Sequence, residues 1–349
     1  MSTIKEIAKA CNVSIATVSK VLNHKAGASE ETTKYILETA EKMNYMPNYV
    51  AKNLKMKKTK TIGVIAEDMT VFSLPDIIDG ITEYCEEKEY HILLVNLRLY
   101  KKFQDKYYQN DDYMEIASQE IKELLSKQVD GIIYVAAHER KIRCIPKELN
   151  IPAVMAYGYS SNKGVPSFVV NDIQAGYEIV SYLAKNHHKR IGVITGKFNS
   201  LHSQERLLGY QEALYDHEIL YNPSFVVEGD WTRKSGYEAT DQLLDKGVTA
   251  IFCMNDLMAG GVYDRLEELH LEVGKDVSVV GFDNREMSSY YQPPLTTIAL
   301  PLHDIGYEAA QMIVALLEAD DDEKKDLEKK DVCRVDCRME VRESVRDLK

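Results

Sequence analysis

Seven short runs of apolar residues, separated by longer amphipathic stretches, restrict the folds open to this chain more than any other feature. The runs fall at 62–66, 92–95, 131–135, 153–156, 191–194, 250–254 and 277–282. Short apolar strands that alternate with helices are typical of parallel sheets covered on both faces. Roughly 280 residues of this pattern exceed one ordinary domain, so we expect two α/β lobes.

Polar and aromatic residues at the ends of these strands are candidates for ligand binding, because ligands of such sheets bind beyond the carboxyl ends of the strands. The candidates are Tyr157, Arg206, Trp231, Asn255 and Asp283. Arginine, amide and carboxylate groups orient ligand hydroxyls, and the single tryptophan can cover the apolar face of a sugar. Each also has a structural explanation: strand-end Asn and Asp cap helices, Trp231 packs in a core, and Arg206 pairs with a surface carboxylate.

The first 46 residues follow a different, helical pattern. Thr3 and Glu6 have the spacing of a capping box, and apolar residues recur at positions 4, 7, 8 and 11. Asn12 accepts the left-handed backbone of a tight turn, and Ser14 is a natural N-cap for a second helix. A third helix is predicted from Ser29 to Met43, with a buried stripe at positions 36, 37, 40 and 43.

The second helix has two unlike faces. Positions 18, 21 and 22 share an apolar side, whereas the opposite side carries Ala16, Ser19, Lys20 and Asn23. Short polar side chains let a helix approach the bases of the major groove. The pattern predicts a helix-turn-helix, although any three-helix bundle would show a similar one.

Charge separates the two parts of the chain. Residues 1–60 carry 11 lysines and 5 acidic residues, a net charge of +6, whereas the other 289 carry −18. A basic head on an acidic body is typical of a nucleic-acid module joined to something else. A solvated lysine face would give the same charge.

The amino-terminal motifs resemble those of LacI/GalR-type transcriptional repressors. The matching segments are IKEIA at 4–8, VSIATVSKVLN at 13–23, SEET at 29–32, NYMPN at 44–48 and AKNL at 51–54. The resemblance implies base contacts from Ile15, Ala16 and Lys20, and backbone contacts from Ser14, Thr17, Ser19 and Asn23. Thr3 and Ile4 complete the predicted surface of the head. The resemblance further implies a hinge helix with Asn48, Ala51, Lys52 and a minor-groove wedge at Leu54.

The rest of the chain resembles the periplasmic-binding-protein-like (type I) core of the same family. The motifs are RLLGY at 206–210, GDWTRKSGY at 229–237, NDLMAGG at 255–261, DVSVVGFD at 276–283 and PPLTTI at 293–298. The resemblance implies that Arg206, Asn255 and Asp283 hydrogen-bond an effector. It implies that the cleft is lined by Leu74, Tyr157, Trp231 and Leu302.

The expected organisation follows from both parts. An all-α helix-turn-helix head (1–46) and a hinge and linker (47–60) precede an α/β two-lobed core with parallel sheets (61–349). The first lobe is expected at about 61–158 and 294–324, and the second at about 159–293 and 325–345.

Several departures from the family pattern concern specificity. Asn12 stands at a usual Gly, and Lys20 and Lys52 stand at usual Arg positions, which loosens base preference because Lys lacks the planar fork of Arg. The stretch 68–74 departs from the family sequence. The Tyr/Lys-rich insertion at 99–113 is interpreted as a lid, a dimer contact or a solvated loop.

The sequence favours neither catalysis nor a cofactor. It has no nucleophile elbow, zinc-protease motif or phosphate loop, and its six scattered cysteines indicate reduced thiols. His187 and His188 are adjacent and cannot easily face one metal ion, so we expect none. Without a signal peptide or a run of 18 apolar residues, the protein is expected to be soluble and cytoplasmic, with no membrane partner.

The sequence thus predicts a homodimeric regulator that binds a palindromic double-stranded DNA operator and responds to a small-molecule effector, a sugar by preference. Whether the effector releases DNA or promotes its binding is left open. One alternative is the same DNA-binding role under the control of a protein partner. A second is a solute-binding transport protein, which would have no use for the basic head. An enzyme is the third.

Overall fold

A computed structural model describes residues 3–22, 26–45, 59–104, 106, 113–329 and 331–349. The chain divides into two compact units, Met1–Thr59 and Lys60–Lys349. The predicted contact residues Asn23, Asn48, Ala51, Lys52 and Leu54 lie outside the described residues. In the part that is described, no helix is long and apolar enough to cross a bilayer.

The described residues of the amino-terminal unit form three helices: α1 (Ile4–Ala10), α2 (Ile15–Leu22) and α3 (Glu30–Lys42). The Thr3–Glu6 capping box is present, with the Thr3 N–H donating to Glu6 Oε2 at 2.7 Å. The side chain of Ser14 accepts from the N–H of Thr17 at 3.0 Å, and Ser29 caps α3. Asn12 has a φ of 53°, as its place in the turn predicts.

The core of this unit comes from all three helices. Its buried members are Ile7, Ala8, Cys11, Val18, Val21, Ile36 and Ala40. One predicted core residue is wrong: Leu37 is 40% exposed. Leu37 follows Ile36 by one position, about 100° around the helix, so burying one turns the other towards solvent.

The first lobe is built on a six-stranded parallel sheet with the order β13-β7-β5-β3-β1-β2. Its strands are β1 (Thr61–Ala66), β2 (His91–Asn96), β3 (Gly131–Val135), β5 (Ala153–Ala156), β7 (Ser167–Val170) and β13 (Val332–Val335). Its helices are α4 (Leu74–Glu87), α5 (Leu99–Phe103), α6 (Tyr113–Ser126), α11 (Leu302–Glu318) and α12 (Asp321–Leu327). The short pair β4 (Lys141–Ile142) and β6 (Tyr159–Ser160) lies beside it.

The second lobe has a four-stranded parallel sheet with the order β11-β10-β8-β9. Its strands are β8 (Ile191–Thr195), β9 (Val226–Glu228), β10 (Ala250–Cys253) and β11 (Ser278–Val280), and its helices are α7 (Asp172–Lys185), α8 (Leu201–Asp216), α9 (Arg233–Leu244) and α10 (Asp256–Glu268). An antiparallel pair, β12 (Thr297–Ala299) and β14 (Arg338–Glu340), completes the elements described.

The lobe boundaries differ from those expected. Ser167–Val170 and Val332–Val335, which we assigned to the second lobe, are paired strands of the first sheet. The chain therefore passes between the lobes after Val170, after Ala299 and after Val335. The expected boundary at 158 was too early because β7 continues the first sheet before α7 begins.

Two residues expected to line the cleft belong instead to the core of the first lobe. Leu74 is fully buried and Leu302 is 5% exposed, and both join the cluster under the sheet. The reason is the close packing of α4 against α11: a Cβ on Gly80 would lie 2.0 Å from the carbonyl oxygen of His303. Helices this close direct their first leucines into the sheet rather than into the cleft.

Candidate functional site

A cavity of about 630 Å³ lies between the two lobes at the carboxyl ends of their strands. Loops after β1 and β3 line it from the first lobe, and loops after β8, β10 and β11 from the second. The structure brings together five of the seven predicted effector residues here: Tyr157, Arg206, Trp231, Asn255 and Asp283. It also adds residues that the sequence analysis missed, including Phe72, Tyr100, Glu139, Arg140 and Arg285.

Arg206 is the most firmly held of these side chains. It is 2% exposed, its Nε donates to Asp172 Oδ1 at 2.7 Å, and its Nη1 donates to the carbonyl oxygen of Met254 at 2.5 Å. Its guanidinium lies over the Phe282 ring at 3.5 Å. Asp172 is fully buried at the start of α7, and the positive neighbours Arg206 and His202 outweigh burial and lower its pKa. Asp172 is thus a positioning residue that the sequence analysis did not identify.

Asp283 is less well paired. Its Oδ1 is 4.0 Å from Nη1 of Arg206, beyond hydrogen-bond distance, although its carboxylate side chain is only 8% exposed. Burial raises the pKa of Asp283 to about 6, while Arg206 and Arg285 act in the opposite direction. The carboxylate is therefore ready to accept hydrogen bonds from a ligand.

Asn255 lines the cavity and also makes two hydrogen bonds within the protein. Its Oδ1 accepts from the N–H of Met258 at 2.8 Å, which caps α10, and its Nδ2 donates to the carbonyl oxygen of Trp231 at 3.0 Å. Gly196 lies behind the indole: an added Cβ would be 1.9 Å from Cζ2 of Trp231. Asn255 thus holds the backbone of Trp231, and Gly196 leaves room for its ring.

Glu67 and Arg140 support the wall on the side of the first lobe. The two Glu67 oxygens accept from Arg140 at 2.6 and 2.9 Å, and Glu67 also accepts from the Tyr134 hydroxyl and the Ala137 N–H, each at 2.8 Å. The Arg140 guanidinium lies 5.0 Å from the Tyr113 ring centroid. Arg140 is consequently neutralised by a bidentate buried partner.

The insertion at 99–113 contributes to this cavity through its described parts. Asp68 Oδ2 accepts from the N–H of Lys101 at 3.1 Å, which ties α5 to the end of β1. Tyr100 of α5 lines the cavity, and Phe72 lies under the guanidinium of Arg285 at 4.8 Å. Two aromatic residues, Phe72 and Tyr100, therefore line the cavity in the segments that depart from the family pattern.

Three cavity residues have left-handed backbone angles although none is glycine. The φ values are 59° for Tyr157, 75° for Trp231 and 102° for Asp283. Each such residue costs about 1–3 kcal/mol, and strain of this kind is concentrated at functional sites.

A metal-like cluster lies at the base of the cavity. Glu139, Asp172 and His202 have one ligand atom each within 4.8 Å of the others. However, both Asp172 oxygens are already used, by Nε of Arg206 and by Nδ1 of His202 at 2.5 Å. A cation here would face the Arg206 guanidinium, so the donor set does not suit a metal.

His188 has a structural role, bonding Thr249 and the carbonyl oxygen of Arg346.

The candidate nucleic-acid surface is the outer face of α2. Ser14, Ala16 and Lys20 are exposed, and Ile15 is 46% exposed, while Thr17 and Ser19 are half-buried. Thr3 is exposed and Ile4 is half-buried at the start of α1. Ile15 is exposed on an otherwise small, polar face and does not belong to the described core of this unit.

Comparisons with known proteins agree with the predictions for both the amino-terminal unit and the α/β core. Residues 3–48 match the model "Bacterial regulatory proteins, lacI family", and residues 180–345 match "Periplasmic binding protein-like domain". The HTH-type transcriptional repressor PurR of Vibrio campbellii is 32% identical over 331 residues, covering 93% of this chain and 95% of that protein. PurR of Aliivibrio fischeri is 30% identical, covering 93% and 94%.

Solved structures resemble this one over nearly the whole chain. The lac repressor dimer bound to operator and the anti-inducer ONPF has a TM-score of 0.76 and 25% identity, with 99% of each chain covered. The fold of the transcriptional regulator CelR–cellobiose complex is also similar, with a TM-score of 0.62, 23% identity, and 99% and 100% coverage.

A helix-turn-helix joined to a two-lobed α/β core with a ligand-sized cavity defines a class of DNA-binding transcription regulators rather than enzymes. The chain belongs to the LacI family of transcriptional repressors.

Proposed function

We propose that this repressor binds a palindromic operator as a homodimer and that a small molecule in the interlobe cavity sets its operator affinity. Residues 1–46 would bind DNA, 47–60 would form the hinge helix and linker, and 61–349 would bind the effector and dimerise. The observation that carries the proposal is the buried pair Arg206–Asp172 at a cavity wall shared by both lobes. A ligand that contacts both lobes has different affinities for open and closed arrangements, which is the requirement for allosteric control.

The effector is proposed to be a small polar molecule, with sugars as first candidates. Trp231 and Tyr157 offer ring faces, while Asp283 and Arg206 offer an acceptor and a donor. That combination binds polyhydroxy compounds and also planar heterocycles. A repressor of this kind acts on DNA in the cytoplasm.

On the DNA, we propose that Ile15, Ala16 and Lys20 contact bases and that Thr3, Ser14, Thr17 and Ser19 contact the backbone. The exposed outer face of α2 supports this, because a groove-reading helix needs its short side chains free of the core. Ile4 is proposed to support the start of α1 at the same surface.

The test has two stages. The purified protein is first used to select inverted-repeat duplexes from a random pool, and affinity is compared with random DNA at physiological salt. Sugars and nucleobases are then screened by thermal shift, and each binder is added to the operator assay. No preference for any inverted repeat would contradict the proposal for DNA. A cavity ligand that leaves operator affinity unchanged would contradict the proposal for control.

A further inference from the structure

One carboxylate in the cavity wall has an oxygen without a hydrogen-bond partner among the described residues. Glu139 lines the wall on the side of the first lobe and is 6% exposed, and its Oε2 is buried with no hydrogen-bond donor among the described residues. Its backbone nitrogen lies 3.4 Å from Nε2 of His202. A buried carboxylate oxygen without a partner costs free energy, so its persistence beside a cavity points to a donor brought by a ligand.

The second lobe presents a similar acceptor. Asp283 lines the same cavity, and its nearest cation, Nη1 of Arg206, is 4.0 Å away. Glu139 and Asp283 therefore present, from opposite lobes, carboxylate oxygens that can accept further hydrogen bonds. A ligand that donates to both would hold the lobes together.

The cations at the wall are less available. Arg140 gives two hydrogen bonds to Glu67, and Arg206 gives its Nε to Asp172. Lys197 and Arg285 also line the cavity, and each lies near enough to a carboxylate, Asp230 and Asp283 respectively, to favour its ionised form. An anionic ligand would have to share these guanidinium groups and would meet two buried carboxylates, a costly arrangement of like charges. The cavity thus favours donors over anions.

We propose that Glu139 selects the effector, and that the effector presents N–H or O–H donors, neutral or cationic, rather than a phosphate or a carboxylate. This rests on the cavity being the effector site. Glu139 accepts from the ligand on the first lobe and Asp283 accepts on the second. Tyr157 and Trp231 stand beside these acceptors as apolar surface.

The charged groups around Glu139 come from three elements. His202 and Glu205 belong to α8, Asp172 belongs to α7 and Arg334 belongs to β13. Glu205 is already bound to Arg334 at 2.8 Å. Burial is the largest influence on Glu139 and raises its pKa to about 7. Donor ligands should therefore bind more tightly as pH rises through neutrality, because the ionised carboxylate is the better acceptor.

The experiment uses the full-length protein and two matched series of probes, measured by calorimetry. D-Glucosamine, D-glucose, D-gluconate and D-glucose 6-phosphate share a carbon skeleton and differ in charge; uracil and orotate share a pyrimidine ring and differ by a carboxylate. We expect binding by a donor member of at least one series and weaker or no binding by its anionic counterpart. Glu139→Gln should weaken the bound donor about tenfold, as loss of a charge-assisted hydrogen bond implies.

Glu148→Gln is the control, since Glu148 is exposed and does not line the cavity. Operator affinity of each variant is measured in parallel, so loss of DNA binding is distinguished from loss of ligand selection. Tighter binding by the anionic members would overturn the proposal, as would equal affinity of wild type and Glu139→Gln. Failure of every donor probe to bind at millimolar concentration would also overturn it. So would Glu139-dependent binding of Zn²⁺ alone.

Discussion

The Nδ2 of Asn255 donates a 3.0 Å hydrogen bond to the carbonyl oxygen of Trp231, while its Oδ1 caps the helix that follows. One side chain thus links the start of α10 to the backbone of Trp231, whose side chain lines the cavity. Trp231 is the single tryptophan of the chain, so its fluorescence reports this place alone. Substitutions at Asn255 can remove one of these two hydrogen bonds and keep the other.

Asn255→Ser should keep the cap and lose the link to Trp231. Serine is as good an N-cap as asparagine but offers no amide N–H at that distance. We expect a free energy of unfolding within about 0.5 kcal/mol of wild type and a changed tryptophan emission. Asn255→Ala loses both bonds and should cost about 1 kcal/mol more. Urea unfolding and emission spectra measure the two effects; an unchanged spectrum in the Ser variant would show that the link does not hold the indole.

Gly196→Ala should displace the indole from behind. An added Cβ would lie 1.9 Å from Cζ2 of Trp231, so the ring must move. Overpacking of this kind costs about 1–3 kcal/mol. In a Trp231→Leu background the same substitution should cost less, because the ring is gone. A double-mutant cycle of unfolding free energies tests this, and additive effects of the two changes would contradict the contact.

Much of the fold was predictable because its signals are local. The seven apolar runs all contain strands, and the caps at Thr3, Ser14 and Ser29 are where the spacing placed them. The family resemblance also predicted that Arg206 and Asp283 belong to one effector site, and both line the same cavity. The strand Ser167–Val170 contains an apolar run of only three residues and gave too weak a signal, so the boundary between the lobes was misplaced.

The site residues that the sequence analysis missed were missed for two different reasons. Glu139 is close to the end of β3, and Asp172 follows β7 by two residues, both at carboxyl ends of strands. That position was a usable signal for Glu139. What the sequence could not provide is pairing: Asp172 binds Arg206 across 34 positions, and Glu67 binds Arg140 across 73. Leu74 and Leu302 were wrongly predicted to line the cleft. The sequence does not reveal the packing of α4 on α11, which goes with the burial of both side chains in the core of the first lobe.

Removing Arg206 should destabilise the fold as well as the ligand site. Arg206→Met leaves Asp172 buried without its guanidinium partner, which typically costs about 3–5 kcal/mol. The pair of changes Asp172→Asn and Arg206→Met should cost less than Arg206→Met alone, because the buried Asp172 carboxylate is removed together with its guanidinium partner. Denaturant unfolding of the three variants measures this. A double variant less stable than Arg206→Met would contradict the pairing.

Glu139 should make stability depend on pH. Its folded-state pKa of about 7 exceeds the ordinary value of 4.5, so between these values the folded protein holds a proton that the unfolded chain has lost. The free energy of unfolding therefore falls as pH rises through this range, by about 3 kcal/mol for this group. Glu139→Gln should remove that fall and be more stable than wild type at pH 8. Urea titrations from pH 5 to pH 8 test this; Glu148→Gln is the control, and a difference between wild type and Glu139→Gln that is constant with pH would contradict it.

Two residues on α2 should separate folding from DNA recognition. Val18 is fully buried and Ile15 is 46% exposed, three positions earlier on the same helix. Val18→Ala removes buried methyl groups and should destabilise the amino-terminal unit by about 1–2 kcal/mol. Ile15→Ala removes exposed surface and should leave its thermal unfolding unchanged, yet weaken operator binding by about 1–3 kcal/mol, the range for a base contact. Anisotropy titrations with operator and random duplexes complete the comparison. Because Ile15 is proposed to contact bases, its loss should affect operator far more than random DNA; equal loss on both would place Ile15 on the phosphate backbone instead.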